Sequence, residues 1–126
     1  MRLAAGAMEF SELSFDELPI EQKIRRSTLI VLTTYQADGD RTKSVVAEVL
    51  KQQAGVRSKY DIGAEYAPGS FYPSANMVYG KGEVVFFTDN PARMQESASY
   101  DGNDRIGGLG EMPLAKLREL IAANAK

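Results

Sequence analysis

Residues 27–51 read STLIVLTTYQADGDRTKSVVAEVLK, and this stretch decides the fold. Two β-branched runs flank Asp38-Gly39. A tight type I′ turn needs positive φ at its central residues, which Asp and Gly tolerate, so the stretch predicts a β-hairpin. With Asp38 and Gly39 as the loop, Ala37 faces Asp40, Thr33 faces Ser44, Leu32 faces Val45, Val31 faces Val46 and Ile30 faces Ala47. Side chains alternate across a strand, which puts Ile30, Leu32, Val45, Ala47 and Val49 on one face. Leu29, Val31, Thr33, Tyr35, Ser44, Val46 and Glu48 fall on the other. The first set is the better core, and a one-residue slip would exchange the two. The second is mixed and suits partial cover by another element.

Upstream, Ser14-Phe15-Asp16-Glu17 has the S-x-x-E pattern of a capping box, in which serine and glutamate satisfy free backbone N–H groups at a helix start. It predicts a helix over about 16–26, with Pro19 in its first turn and Phe15, Leu18 and Ile24 turned to the sheet. Downstream, VRSKYDI (56–62) alternates well enough to predict a third strand. Residues 63–82 come next, rich in Gly, Pro, Ser, Asn and aromatics; long irregular segments of this kind often bind.

GEVVFFT (82–88) is almost continuously apolar and predicts a central strand covered on both faces, stopped by Asp89-Asn90-Pro91. Pro91 to Ser97 predicts one helical turn, and Ala98 to Ile106 a short strand broken by a turn at Asp101-Gly102-Asn103. At the C-terminal end, Pro113 as first helical residue, then Leu114, Leu117, Leu120 and Ile121, predicts an amphipathic helix fed by the hinge Gly107-Gly108-Leu109-Gly110.

The chain has 126 residues, enough for one domain with a real core and no need of metal or disulfide staples. Its net charge of −2 argues against a surface built to neutralise phosphates along a nucleic acid. Cysteine and histidine are both absent, which removes disulfides, thiolate nucleophiles, the Ser-His-Asp triad and the usual imidazole ligands. Any chemistry would fall to carboxylates, Lys, Tyr or Ser. No apolar run is long enough to span a bilayer. Ala5-Gly6-Ala7 has the small-residue pattern of a signal-peptidase site, so residues 1–13 are expected to be a flexible leading segment, the remnant of a signal peptide. A start that simply contains small residues is the competing reading.

The order of pieces carries a resemblance. A leading helix, STLIVLTTY (27–35), SVVAEVLKQ (44–52), YDIGAEY (60–66), KGEVVFFTDNP (81–91) and LAKLRELI (114–121) together resemble a set of bacterial exported proteins with a strand–EVLKG–strand–GE(x)VLLFL pattern. These are similar in layout to the netrin-like OB domain of the tissue inhibitors of metalloproteinases. The motifs that match are Glu48-Val49-Leu50-Lys51 and Gly82-Glu83, set in hydrophobic pattern. The resemblance implies an OB-like, partly open five-stranded barrel and a periplasmic or secreted location. It implies no reaction: the animal inhibitors act through an N-terminal cysteine, and this chain has none.

Two constellations could carry a ligand. Asp101, Asn103, Asp104 and Glu111 offer the oxygen donors that calcium takes, but not at EF-hand spacing, and Asx and Gly together favour a polar turn. Tyr60, Tyr66, Phe71, Tyr72 and Tyr79 gather aromatics in or beside one loop-rich segment. OB domains stack ligands on such rings, although aromatics also pack beneath long loops. If the segment binds, Tyr66, Phe71 and Tyr72 are the ligand-binding candidates.

These features together predict an α+β, mostly β domain over 14–126, an OB-like five-stranded barrel with flanking N- and C-terminal helices. The expected function is non-catalytic: a binding or protein-interaction module of the bacterial cell envelope, engaging a protein or envelope ligand through Gly63 to Gly80. No catalytic residue, metal ligand or cofactor is assigned. The alternatives are a single-stranded nucleic-acid-binding OB module, which the charge disfavours, and a carboxylate- or Tyr-dependent enzyme.

Overall fold

The fold was obtained as a computed structural model, which describes residues 13–39, 41–66 and 81–124. Residues 1–12, the greater part of the expected leading segment, lie outside the described residues. The described residues are mostly β with α: one antiparallel sheet of seven strands, covered on one face by two helices. In chain order the elements are α1 (Ile20–Arg26), β1 (Leu29–Asp38), β2 (Arg41–Gln52), β3 (Glu65–Tyr66), β4 (Gly82–Thr88), β5 (Arg93–Tyr100), β6 (Arg105–Ile106), β7 (Met112–Pro113) and α2 (Leu114–Asn124). The strands run β3-β2-β1-β4-β5-β6-β7 across the sheet. Five strands were expected; the count rises because β5 is a full strand and two-residue bridges extend the edge.

The hairpin forms, with a different register. Asp38 pairs with Arg41, so Gly39 and residue 40 make the loop, and Gly39 takes the left-handed conformation at φ 69°. Thr33 therefore faces Val46 and not Ser44, a slip of two residues that leaves each side chain near the turn on its predicted face. Two bulges then intervene, between Leu32/Thr33 and between Ile30/Val31, where β2 carries one extra residue each time. The first exchanges the faces beyond it: Glu48, not Ala47, lies opposite Leu32, and Val49 joins the cluster around Leu29 and Val31.

Both faces of the central strands are buried. On the helix face, Ile30, Leu32, Val84, Phe86 and Ala98 pack with Ile24 of α1 and Leu114, Leu117 and Ile121 of α2. On the opposite face, Leu29, Val31, Val46, Tyr66, Val85 and Phe87 form a second cluster, joined by Tyr60, Val49 and Ala92. β4 is the doubly covered strand that its apolar run predicts, with Val84, Val85, Phe86 and Phe87 all fully buried. At its start Gly82 is obligatory, because a Cβ there would run into the Thr33 carbonyl of the neighbouring strand.

Ion pairs and polar bonds pin the helices. Lys23 of α1 bonds Glu96 of β5 at 2.7 Å, both side chains largely out of solvent. Lys51, opposite Ile30 on the helix face, donates at 2.6 Å to the Ile24 carbonyl in the last turn of α1. Burial lowers the Lys51 pKa. Glu48, from the same strand, accepts from Arg118 of α2.

Four local expectations change. The N-terminal helix is broken: Phe15–Glu17 forms a 3-10 turn, and α1 starts at Ile20. Pro19 forces the break, since the residue before a proline is pushed to extended backbone and Leu18 has ψ 148°. The Ser14 N–H still donates to the Glu17 carboxylate at 3.0 Å, so that half of the capping box closes. Residues 56–62 are not a strand. Arg57 donates its N–H to Asn90 Oδ1 and accepts at its carbonyl from Ala92 N–H, so a ladder has no claim on it. The partner of β2 is instead Glu65–Tyr66. Arg93–Tyr100, expected to begin as a helical turn, pairs with β4 from Gly82↔Tyr100 to Thr88↔Arg93, sheet pairing overriding local preference. Pro113 closes β7 and does not open the helix; α2 begins at Leu114, where Ala115 N–H is accepted by Asp104 Oδ1 at 3.3 Å.

Candidate functional site

The sheet has one polar end, on the face away from the helices. Tyr66 of β3 lies opposite Ser44 of β2, and Ser44 opposite Tyr35 of β1. Beyond Tyr35, its N–H donates to the Lys81 carbonyl, and Lys81 N–H donates to the Tyr100 carbonyl of β5. The strand ends joined by residues 67–80, at Tyr66 and Lys81, thus lie on one row with β2 and β1 between them.

One row inward, Glu83 of β4 faces Thr33. The Tyr35 hydroxyl donates to Glu83 Oε2 at 2.9 Å, and Thr33 Oγ1 accepts from the Glu83 N–H at 3.1 Å. Burial, reinforced by the bond to Glu83 and its negative charge, pushes the Tyr35 phenol well above its ordinary range. The Tyr66 phenol is pushed up to about 12, chiefly by burial, with smaller contributions from Glu83 and Tyr60. Both phenols are therefore neutral hydrogen-bond donors near neutral pH, and neither is a ready phenolate base. Ser44 Oγ is buried with no hydrogen-bond partner among the described residues, on the same row between the two tyrosines.

Of the three ligand-binding candidates, Tyr66 is 4% exposed. Its ring meets Tyr60 edge-on at 5.5 Å and Phe87 at 6.0 Å, while Tyr60 stacks on Phe87 at 4.9 Å. Its ring belongs to the core, and it ties the start of residues 67–80 to that core. Phe71 and Tyr72 lie outside the described residues, as does most of the Gly63 to Gly80 segment.

The acidic loop does local work. Asp101 Oδ1 accepts from the N–H groups of Asn103 and Arg105, an Asx turn, and Asp104 caps α2. Among the described residues no three acidic groups gather as a metal site requires, and no helix is long and apolar enough to cross a membrane.

Sequence patterning missed Tyr35 and Glu83 as partners, because they are 48 residues apart in the chain. The available signal was a lone glutamate at the head of an apolar strand, which needs a polar neighbour once both sheet faces are covered. Compared with known protein families, curated proteins and solved structures, the chain matches none of them.

Proposed function

We propose that this domain is a non-catalytic binding or protein-interaction module of the bacterial cell envelope, periplasmic or secreted, which engages a protein or envelope ligand through residues 63–80. The observation carrying this reading is the anchorage at both ends of that segment. Tyr66 is locked into an aromatic core, and Lys81 is hydrogen-bonded on both sides to β1 and β5. A long connection held on a rigid scaffold is the usual architecture of a recognition loop. The neutral phenols at its root favour recognition over proton transfer. The OB-like, partly open barrel belongs to the same proposal, with β2, β1, β4 and β5 as its principal wall; the bulges in β1–β2 and β4–β5 favour the curvature it needs.

The test uses the immobilised protein with two probes, purified peptidoglycan and a periplasmic extract whose captured proteins are identified by crosslinking. The expected result is retention of one probe by the wild type and its loss in a Phe71→Ala/Tyr72→Ala variant. Tyr66 is left intact, because its ring is structural. Equal retention by both proteins would refute the assignment. Steeply salt-dependent binding of oligothymidylate instead would favour the nucleic-acid reading.

A further inference from the structure

A second candidate region forms where residues 57–60 pass the turn between β4 and β5. A groove of about 300 Å³ opens there, lined among the described residues by Arg57, Ser58, Lys59, Tyr60, Pro91 and Ala92. Its frame is fixed. Arg57 N–H donates to Asn90 Oδ1 at 2.8 Å, Ala92 N–H donates to the Arg57 carbonyl at 3.0 Å, and Asn90 Nδ2 donates to the Gly55 carbonyl at 3.2 Å. Tyr60, stacked on Phe87, forms an apolar wall, and Lys59 Nζ sits 5.7 Å from the centre of its ring. The Ser58 hydroxyl accepts from Tyr60 N–H at 2.9 Å, leaving its own proton to donate.

The described lining holds two cations and no carboxylate. Two positive charges with no counter-charge among the described lining match a dianion, and a phosphate monoester carries nearly two negative charges at neutral pH. The guanidinium fork of Arg57 suits two phosphate oxygens, the ammonium of Lys59 supplies a point charge, and the ring of Tyr60 offers a flat apolar wall. The volume is at the small end for ligand sites, which suits a compact molecule. We propose that this groove binds a phosphate monoester carried on a small, flat apolar body.

Phenyl phosphate is the probe, titrated into the isotopically labelled full chain and monitored by the backbone amide signals. Saturable shifts are expected at residues 57–60 and 92. Affinity is expected to fall about tenfold or more in an Arg57→Gln/Lys59→Gln variant, the loss typical of charge-assisted hydrogen bonds. Both side chains belong to exposed residues, so the variant should keep the wild-type thermal midpoint. Phenol and inorganic phosphate should each bind more weakly than phenyl phosphate. The proposal is overturned by the absence of saturation at millimolar probe, by equal affinity in the variant, or by shifts that map elsewhere. Inorganic phosphate binding as tightly as phenyl phosphate would overturn the part assigned to Tyr60.

Discussion

The two faces of the sheet each carry a buried cluster, covered by different means. Beneath the helices the cover is regular, and its polar attachments involve charged side chains: Lys23 to Glu96, Lys51 to the end of α1, and Arg118 to Glu48. On the opposite face the described cover is irregular chain. There the apolar contacts are aromatic, among Tyr60, Tyr66 and Phe87, and the Tyr35 phenol is hydrogen-bonded to the Glu83 carboxylate. A helix can satisfy its own backbone while covering a sheet, whereas a loop must find partners for each N–H and C=O, as Arg57 does with Asn90 and Ala92. Both candidate sites lie on the loop-covered face.

The largest test of this contrast compares adjacent residues of β4 that point opposite ways, Phe86 and Phe87, both fully buried. Phe86→Ala and Phe87→Ala should each cost about 3–5 kcal/mol, read from urea unfolding. Equal losses would show that the two covers are equally tight. A loss below about 1 kcal/mol for Phe87→Ala alone would show that the irregular cover closes over the gap and is not a packed layer.

A somewhat smaller effect is expected at the buried pair. Lys23→Met strands Glu96 without its partner and should cost about 3 kcal/mol, while adding Glu96→Leu should restore most of that loss. The second step separates the penalty of an unpaired buried charge from any intrinsic worth of the pair. If Lys23→Met costs only about 0.5 kcal/mol, the pair behaves as a surface one and the charged character assigned to the helix face fails.

How far each feature can be read from the sequence depends on the range of the interactions that set it. The strand cores of β1, β2 and β4 and the buried stripe of α2 are set by local periodicity, and each was legible. The bulge that carries Glu48 to α2 was not, because nothing near Ala47 marks an extra residue; only the fit between strands fixes it. β5 was hidden for the same reason, its residues taking their conformation from β4. Among the site residues, the aromatic character of the segment was legible, but the burial of Tyr66 depends on Tyr60 and Phe87 from two other stretches. The Arg57–Lys59 groove stayed invisible because a strand pattern in 56–62 masked a chain path dictated by Asn90 and Ala92.

The subtlest difference between the faces is their response to alkali. Tyr35 and Tyr66 titrate near pH 10 when unfolded, and both are pushed upward in the folded protein, Tyr66 to about 12. The folded state thus holds the phenolic protons more tightly. Their stabilising contribution is complete below about pH 10 and is lost as pH rises from there towards the folded values. Lys51 works in the opposite sense, since its lowered pKa lets the folded state release a proton first, and stability from that source grows with pH. Comparing wild type with a Tyr35→Phe/Tyr66→Phe variant cancels Lys51, which both proteins share. Between about pH 9 and about pH 11 the unfolding midpoint of the wild type should fall more steeply than that of the variant, even though the variant starts lower for want of the bond to Glu83. Parallel slopes would mean that the phenols are solvated in the folded protein. They would then no longer be fixed neutral donors at the root of residues 67–80, and the contrast with the charged helix face would reduce to geometry alone.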